Sequence, residues 1–394
     1  MKIYNKSEWK KVKLGDICEV VTGSTPLKKI KEYWDKNEVP FITPPELKYE
    51  GINYITPSIF VSKIGSNHGR IIPKNSICVC CIGSLGKLGI LKEDSITNQQ
   101  INSLILKNEN VDLLYLYFYL KTIKNNLESI ASSTTVKIIN KSSFEKIEIS
   151  LPNLEIQKKI SKKLELLENN IDFRKNQLNY LKELNKSLFT RMFGDIKTND
   201  KNWKIVKLEK YINIIGGYAF KNIDFKSSGI PLIRIGNINS GQFKSTNLVF
   251  IEENKKFEKF KVFPNDIIIS LTGTVGKDDY GNACILGDSY SEYYLNQRNA
   301  KIELTDKINK NFFLEIMKIK EVKKKLTGIS RGIRQANISN KDIYNLSLPL
   351  PPIELQNKFA ERIEKIEKLK FEIEKSIEEA QKLYNSLISK YFDN

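Results

Sequence analysis

The stretch Trp9–Gly23, WKKVKLGDICEVVTG, returns as WKIVKLEKYINIIGG at Trp203–Gly217, with Trp, Val-Lys-Leu and the closing Gly at a constant offset of 194. Further on, IPKNSICVCCIGSLGK (Ile72–Lys87) is answered by FPNDIIISLTGTVGK (Phe263–Lys277), and TNQQ at 97–100 by LNQR at 295–298. FEKIEISLPNLEIQ, from Phe144, is answered by IYNLSLPLPPIELQ, from Ile343, at an offset of 199. An offset that drifts by only a few residues marks one unit duplicated and then edited in its loops. Any fold for this chain has to be built twice.

Each unit divides into two parts. The first mixes short β-type runs (Ile77–Ile82, Ile230–Ile235, Asp266–Leu271) with helical stretches at Asp112–Leu127 and Lys310–Leu326. The second is one long helix. Its apolar positions step four, three, four, three: Ile156, Ile160, Leu164, Leu167, Ile171, then Leu178, Leu181, Leu188 and Met192, with Arg174 and Asn185 interrupting. The second copy places Phe359, Ile363, Ile366, Ile373, Ile377, Ala380, Tyr384 and Leu387 on one stripe, interrupted by Lys370. That spacing is a coiled-coil seam. The repeated Leu-Pro sentence before each run is a helix start. Pro152, Pro351 and Pro352 fit a first turn, Asn153 can cap, and Glu155 and Glu354 place negative charge at the positive end of the dipole. A helix from Glu155 to Phe193 spans roughly 58 Å and cannot bury its stripe alone. Its obvious partner is its own duplicate, antiparallel if a pseudo-twofold relates the units. The expected fold is a duplicated α/β (α+β) body with a long helix after each copy. The boundaries are 1–150 and 196–348 for the bodies, 151–195 and 349–394 for the helices.

The chain carries a net charge of +18, and its location is informative. Basic residues exceed acidic ones by six in 1–150, three in 151–195 and ten in 196–348, while 349–394 has one acid in excess. Two basic bodies joined by less charged helices suit a polyanion gripped at two places. A hydrophobic content of 40% is ample for two cores. No stretch approaches the ~20 apolar residues of a membrane span, and the polar opening MKIYNKSEWKKVKLGD lacks the apolar core of a secretion signal. Five cysteines without disulfide spacing point to a reducing cytoplasm. Cys78, Cys80 and Cys81 alternate along an apolar run as buried small side chains rather than zinc ligands. His68 is the only histidine, which excludes a Ser-His-Asp triad and any multi-His metal site.

These features together, a body opening with Trp-x-x-Val-Lys-Leu and closing with Pro-x-(Leu/Ile)-Glu-(Ile/Leu)-Gln before a long helix, all written twice, resemble the specificity subunit of type I restriction–modification systems. The resemblance spans essentially the whole chain. It implies that each body is a target recognition domain reading half of a bipartite double-stranded DNA site. It implies that the paired helices set the spacer and dock two methyltransferase subunits, with restriction/translocase subunits completing the complex. Adenine methylation and ATP-driven cleavage, with their S-adenosylmethionine, ATP and Mg, then belong to the partners, and no cofactor or metal is expected on this chain.

The residues agree by what they lack. An (Asn/Asp/Ser)-Pro-Pro-(Tyr/Phe) loop is missing, the Pro-Pro pairs being TPPE at 43–46 and LPPI at 350–353. Gly-x-x-Gly-Lys is not a phosphate-binding P-loop, since Lys87 and Lys277 precede Leu88 and Asp278. A nuclease would want an acidic pair and a Lys on adjacent strands; Asp266 lies beside a strand, but no Glu-x-Lys is in register. Gly83, Gly86, Gly273 and Gly276 read as turns after a buried strand that bring Lys87 or Lys277 to a phosphate. For base edges the matching types are Arg, Lys, Asn, Gln and Ser/Thr in loops. The second unit offers Arg331, Arg334 and Gln335 in SRGIRQANIS, Arg234, Asn237 and Asn239 in RIGNINSG, and Asn296, Gln297 and Arg298 in LNQR. The first offers Thr134, Thr135 and Lys137 in SSTTVKIIN, with Asn98, Gln99, Gln100, His68 and Arg70. Tyr218 and Phe220 pack in the core or stack on a base. The rival readings are a stand-alone DNA-modifying or cleaving enzyme and a coiled-coil scaffold.

Overall fold

The computed structural model describes residues 6–131, 136–274, 277, 279–327 and 335–392. By packing, the chain forms two compact units, residues 1–178 with 372–394 and residues 179–371. Each long helix is therefore shared between units.

In the first unit the strands are β1 (Lys10–Lys13), β2 (Cys18–Thr22), β3 (Val39–Ile42), β4 (Phe60–Val61), β5 (Ile71–Ile72), β6 (Ile77–Cys80), β7 (Leu88–Ile90), β8 (Ser95–Thr97), β9 (Ile101–Leu106) and β10 (Glu148–Leu151). They form sheets ordered β2-β9-β6-β7 and β4-β3-β8-β5, plus the pair β1-β10. β3 and β8 run parallel, and the other pairings are antiparallel. In the second unit come β11 (Lys204–Lys207), β12 (Ile212–Gly216), β13 (Phe225–Lys226), β14 (Ile230–Ile233), β15 (Val249–Ile251), β16 (Lys261–Val262), β17 (Ile267–Ser270), β18 (Thr272–Thr274), β19 (Ala283–Ile285), β20 (Tyr293–Leu295), β21 (Asn299–Leu304), β22 (Gln335–Asn337) and β23 (Ser347–Leu350). Here β12-β21-β17-β19 answers the first sheet, β13-β15-β14-β20-β16 the second, and β11-β23 the closing pair, with β14 parallel to β20. The pair β18-β22 is formed only in this unit among the described residues. The duplication in sequence is thus a duplication of topology.

The long helices run Leu154–Phe193 and Ile353–Phe392, about 60 Å each at 1.5 Å per residue. Asn153 caps the first, its Oδ1 accepting the Ile156 N–H at 3.0 Å. In the first unit Ile160, Leu164 and Ile171, from the opening turns of the first helix, share a core with Tyr384, Leu387, Tyr391 and Phe392, which close the second. In the second unit Phe189 and Phe193, which close the first helix, pack edge-on against Phe359 near the start of the second. Start meets end in both places, so the helices pair antiparallel. Ile363 and Ile366 are buried, while Ile156, Leu167, Leu178, Leu181, Ile373 and Ile377 are half-buried. A fully buried Ile or Leu contributes about 1.5–3 kcal/mol, which an isolated helix could not draw on. Asn185, an interruption of the seam, is buried and donates to Glu367 Oε1 at 3.1 Å.

Two expectations need correcting. The helical stretches are each broken into two, Leu113–Thr122 with Lys124–Ile130 and Lys310–Lys318 with Lys320–Thr327, at Ile123 and Ile319. Gly273 is not a turn residue: it lies inside β18, paired with Ala336, while Gly83 and Gly86 do form a turn, both at φ +77°. The ladder to β22 is three pairs long, whereas its counterpart in the first unit is the single bridge between Ile82 and Ile138, after which the backbone turns at Gly83.

All five cysteines are buried and unpaired. Burial pushes the thiols of Cys18, Cys78, Cys81 and Cys284 up to about 12, and raises Cys80 as well. Since the thiolate is the reactive form, iodoacetamide at pH 8 is expected to leave the native chain unmodified and to alkylate five sites once it is unfolded. Mass spectrometry decides between this and native adducts. No described helix is long and apolar enough to cross a membrane.

Candidate nucleic-acid interface

The predicted loops are far apart in sequence, and the backbone brings them together. In the first unit the Gln100 carbonyl accepts the Cys81 N–H at 2.8 Å, and the Cys81 carbonyl accepts the Ile139 N–H at 2.9 Å. In the second, the Arg298 carbonyl accepts the Leu271 N–H at 2.9 Å, and the Leu271 carbonyl accepts the Ile338 N–H at 2.8 Å. The same relay therefore joins TNQQ or LNQR, the start of Gly-x-x-Gly-Lys, and the residues just after the predicted base-reading loop. It sits where β2 and β6 end and β9 begins, and equally where β12 and β17 end and β21 begins. Asn98 N–H donates to the Ile42 carbonyl at 3.0 Å and Asn296 N–H to the Ile233 carbonyl at 3.2 Å, so the ends of the parallel strand pairs reach the same place.

The glycine closing each Trp-x-x-Val-Lys-Leu repeat belongs here too. A Cβ on Gly23 would stand 2.2 Å from the Asn98 carbonyl oxygen, and one on Gly217 would stand 2.3 Å from that of Asn296. Only glycine lets these strands pass under the Asn-Gln loop.

In the first unit Gln99, Lys137, His68 and Arg70 are exposed, and Lys87 and Gln100 half-buried. Gln99 accepts from Thr25 Oγ1 at 2.6 Å, the Arg70 guanidinium donates to the Thr22 carbonyl, and Lys137 pairs with Glu128 at 2.9 Å. His68 stacks on Tyr33, ring centroids 4.5 Å apart, with Nε2 2.8 Å from the Tyr33 hydroxyl. Lys87 and Lys124 both lie over the exposed ring of Tyr49, at 5.7 and 4.4 Å. The Gly83 N–H donates to the Lys137 carbonyl at 3.0 Å, so this basic cluster borders the predicted loop. Tyr49 and Lys124 carry no motif and were not among the sequence candidates.

In the second unit Gln297, Arg298 and Lys277 are exposed, and Arg234, Asn239 and Asn296 half-buried. Arg234, Asn296, Gln297 and Arg298 line one cleft of about 690 Å³. Asn98 and Asn237 are not exposed groups. Asn98 Nδ2 donates to Gln100 Oε1 at 2.9 Å, and Asn237 Nδ2 donates to the carbonyls of Lys244 and Thr246 at 3.0 and 3.1 Å, so each amide builds a turn. Tyr218 and Phe220 pack with Phe257, and Phe220 with Tyr294, in a local core. Thr134, Thr135, Arg331, Arg334 and Gly276 lie outside the described residues, as does the side chain of Gln335, whose backbone belongs to β22.

An acidic pair and a lysine do come together here, in the order Lys-x-Glu along β21 with Asp266 just before β17. Lys301 on β21 is 3.1 Å from Asp266 and 3.2 Å from Glu303. Burial works against the ammonium, but the bonds to both carboxylates outweigh it and raise its pKa. The lysine thus neutralises the acids. Among the described residues no three His, Cys, Asp or Glu side chains are grouped to hold a metal ion.

Residues 6–183 and 200–382 each match the family model described as the Type I restriction modification DNA specificity domain. The chain is 29% identical to the type I restriction enzyme MjaVIII specificity subunit of Methanocaldococcus jannaschii, over 97% of this chain and 92% of that one. It is 36% identical to the HindI specificity subunit of Haemophilus influenzae over 39% of this chain and 34% of that one. Its fold is similar to a crystal structure of a type I restriction–modification S subunit from M. genitalium, with TM-score 0.64, 17% identity, 100% of this chain covered and 98% of that one.

Proposed function

The chain belongs to the type I restriction–modification DNA specificity family, and from that premise we propose how it works. It is a DNA sequence-specificity subunit whose two bodies each read one half of a bipartite site. The observation that carries this reading is the relay of backbone hydrogen bonds, repeated in both units, that gathers the Asn-Gln loop, the Gly-x-x-Gly-Lys segment and the flank of the variable loop at one sheet end. A fixed frame with variable side chains is what two different half-sites require. The first unit presents Lys87, Lys124 and Lys137, the second Arg234, Lys277 and Arg298, and these cations engage phosphates as well as bases.

The chemistry is left to partners: two methyltransferase subunits with S-adenosylmethionine, and restriction/translocase subunits with ATP and Mg. The paired helices hold the spacer and dock the methyltransferases. Support for docking comes from apolar residues turned away from the seam. Leu166, Phe173 and Tyr180 recur every seven residues, and Phe173 and Tyr180 are 60% and 75% exposed, a display that a free surface helix has no reason to keep.

The test is a map of adenine methylation in cells carrying this chain and its methyltransferase partner, with and without the chain. A split motif that vanishes on deletion is expected. A continuous motif, or one that survives deletion, overturns the reading.

A further inference from the structure

The cleft of the second unit is cationic and aromatic together. Arg234, Lys244 and Arg298 line it with Phe220 and Phe225, and none of its described lining residues is acidic. Arg234 follows β14 directly. Asn237 Oδ1 holds its N–H at 3.0 Å, its Nη2 donates to the Asn247 carbonyl at 2.9 Å, and the guanidinium carbon stands 5.8 Å from the Phe225 ring centre. Its Nε is out of solvent and has no hydrogen-bond partner. The guanidinium is therefore fixed in orientation while part of its donor capacity is unspent. What an entering ligand can meet is the Nη edge, where Nη1 and the second hydrogen of Nη2 are not taken up by the bond to Asn247.

The first unit has the same turn with different equipment. Thr43 stands where Arg234 stands, and Glu46 caps it as Asn237 caps Arg234, accepting the Thr43 N–H at 2.9 Å and its hydroxyl at 2.7 Å. Burial would raise the Glu46 carboxyl, but hydrogen bonds from Ser58 and Thr43 hold it below the usual range. One device thus carries a guanidinium in the second unit, and a hydroxyl with a carboxylate in the first.

We propose that Arg234 reads a guanine in the half-site of the second unit, presenting its planar fork to O6 and N7, with Lys244 and Arg298 on flanking phosphates. This rests on the reading of the chain as a DNA specificity subunit. A rigid fork matches the paired acceptors of guanine in the major groove, whereas a contact to phosphate alone carries no sequence information.

The test uses the chain in complex with its methyltransferase partners, titrated with duplexes in which each guanine of the mapped site is replaced singly by 7-deazaguanine, which lacks the N7 acceptor. At one position the swap should weaken the native complex about ten- to a hundredfold. R234A should lose the same factor on the unmodified duplex and become indifferent to that swap. R234K should keep general, salt-sensitive binding and yet show the same indifference. Discrimination at the other half-site should be unchanged in both variants, which also reports an intact fold. R234A weakening every duplex alike, or retaining the deazaguanine penalty, overturns the assignment. A native complex with no split-site preference overturns the function reading itself.

Discussion

Replacing Gln356 with alanine is expected to cost the second unit about 3–5 kcal/mol, and Gln157→Ala to cost the first about as much. These are the glutamines that end the repeated Pro-x-(Leu/Ile)-Glu-(Ile/Leu)-Gln sentence, and they are 0% and 1% exposed. Gln356 Oε1 accepts the Asn309 N–H at 2.9 Å, and its Nε2 donates to the carbonyls of Lys307 and Pro351 at 3.2 and 2.8 Å. Gln157 makes the same three bonds, to the Asp112 N–H at 2.8 Å and to the carbonyls of Asn110 and Pro152 at 3.1 and 2.8 Å. Asp112 and Asn309 are the N-caps of the helices Leu113–Thr122 and Lys310–Lys318. One amide therefore clips the start of the long helix to the start of a helix in the body. Alanine leaves a donor and two acceptors without their partner, the proline carbonyl buried and the other two part-buried, each worth up to about 1–3 kcal/mol, against a total stability of about 5–15 kcal/mol. Urea denaturation of the full chain, with hydrogen exchange at Asn309 and Asp112 to assign the loss to a unit, measures this. A loss below about 1 kcal/mol at both sites would sink the clip. Gln356→Glu separates packing from bonding. Its carboxylate would face two carbonyls, so the folded state favours the protonated acid and raises its pKa. The added penalty should therefore be small below the unfolded value of about 4.3 and grow as pH rises above it.

This clip marks where sequence reading stops. The repetition of Gln is visible in the sequence, but two of its three partners lie more than forty residues upstream, and nothing local announces them. What depends on local periodicity was legible: the four-three stepping and the prolines located the first long helix to within one residue of its start, Leu154 rather than Glu155. Phe189 and Phe193 escaped because they face a second partner, Phe312 of the helix Lys310–Lys318, at 5.8 and 4.8 Å between centroids. A seam pattern describes one neighbour, and these residues have two. The chemistry that makes Asn98 and Asn237 candidate base readers also lets a buried amide satisfy a turn instead. Lys301 and Glu303 stand side by side as Lys-x-Glu on β21, the reverse of Glu-x-Lys, and only the register between β17 and β21 brings Asp266, just before β17, beside them.

The other large effect is expected at Gly217. Alanine there should remove discrimination at the second unit's half-site, weakening binding about ten- to a hundredfold, while the first half-site is read as before; Gly23→Ala should do the reverse. A Cβ on Gly217 would meet the carbonyl oxygens of Asn296 and Leu295 at 2.3 and 2.5 Å and the Asn296 carbonyl carbon at 2.4 Å, all backbone atoms. No rotamer can relieve that, so the LNQR loop itself must move. The loop is also bound to the Tyr218 N–H through the Leu295 carbonyl at 2.8 Å and to Leu271 through the Arg298 carbonyl. Its displacement would carry Asn296, Gln297 and Arg298 with it and disturb the relay to β22. The stability cost of such overpacking is about 1–3 kcal/mol, survivable for a unit of this size, so the variant should fold and misread rather than collapse. Competition binding against duplexes altered in one half-site at a time distinguishes the outcomes. If Gly217→Ala folds and still discriminates both halves, the Asn-Gln loop is a structural crossing and not part of the reading surface.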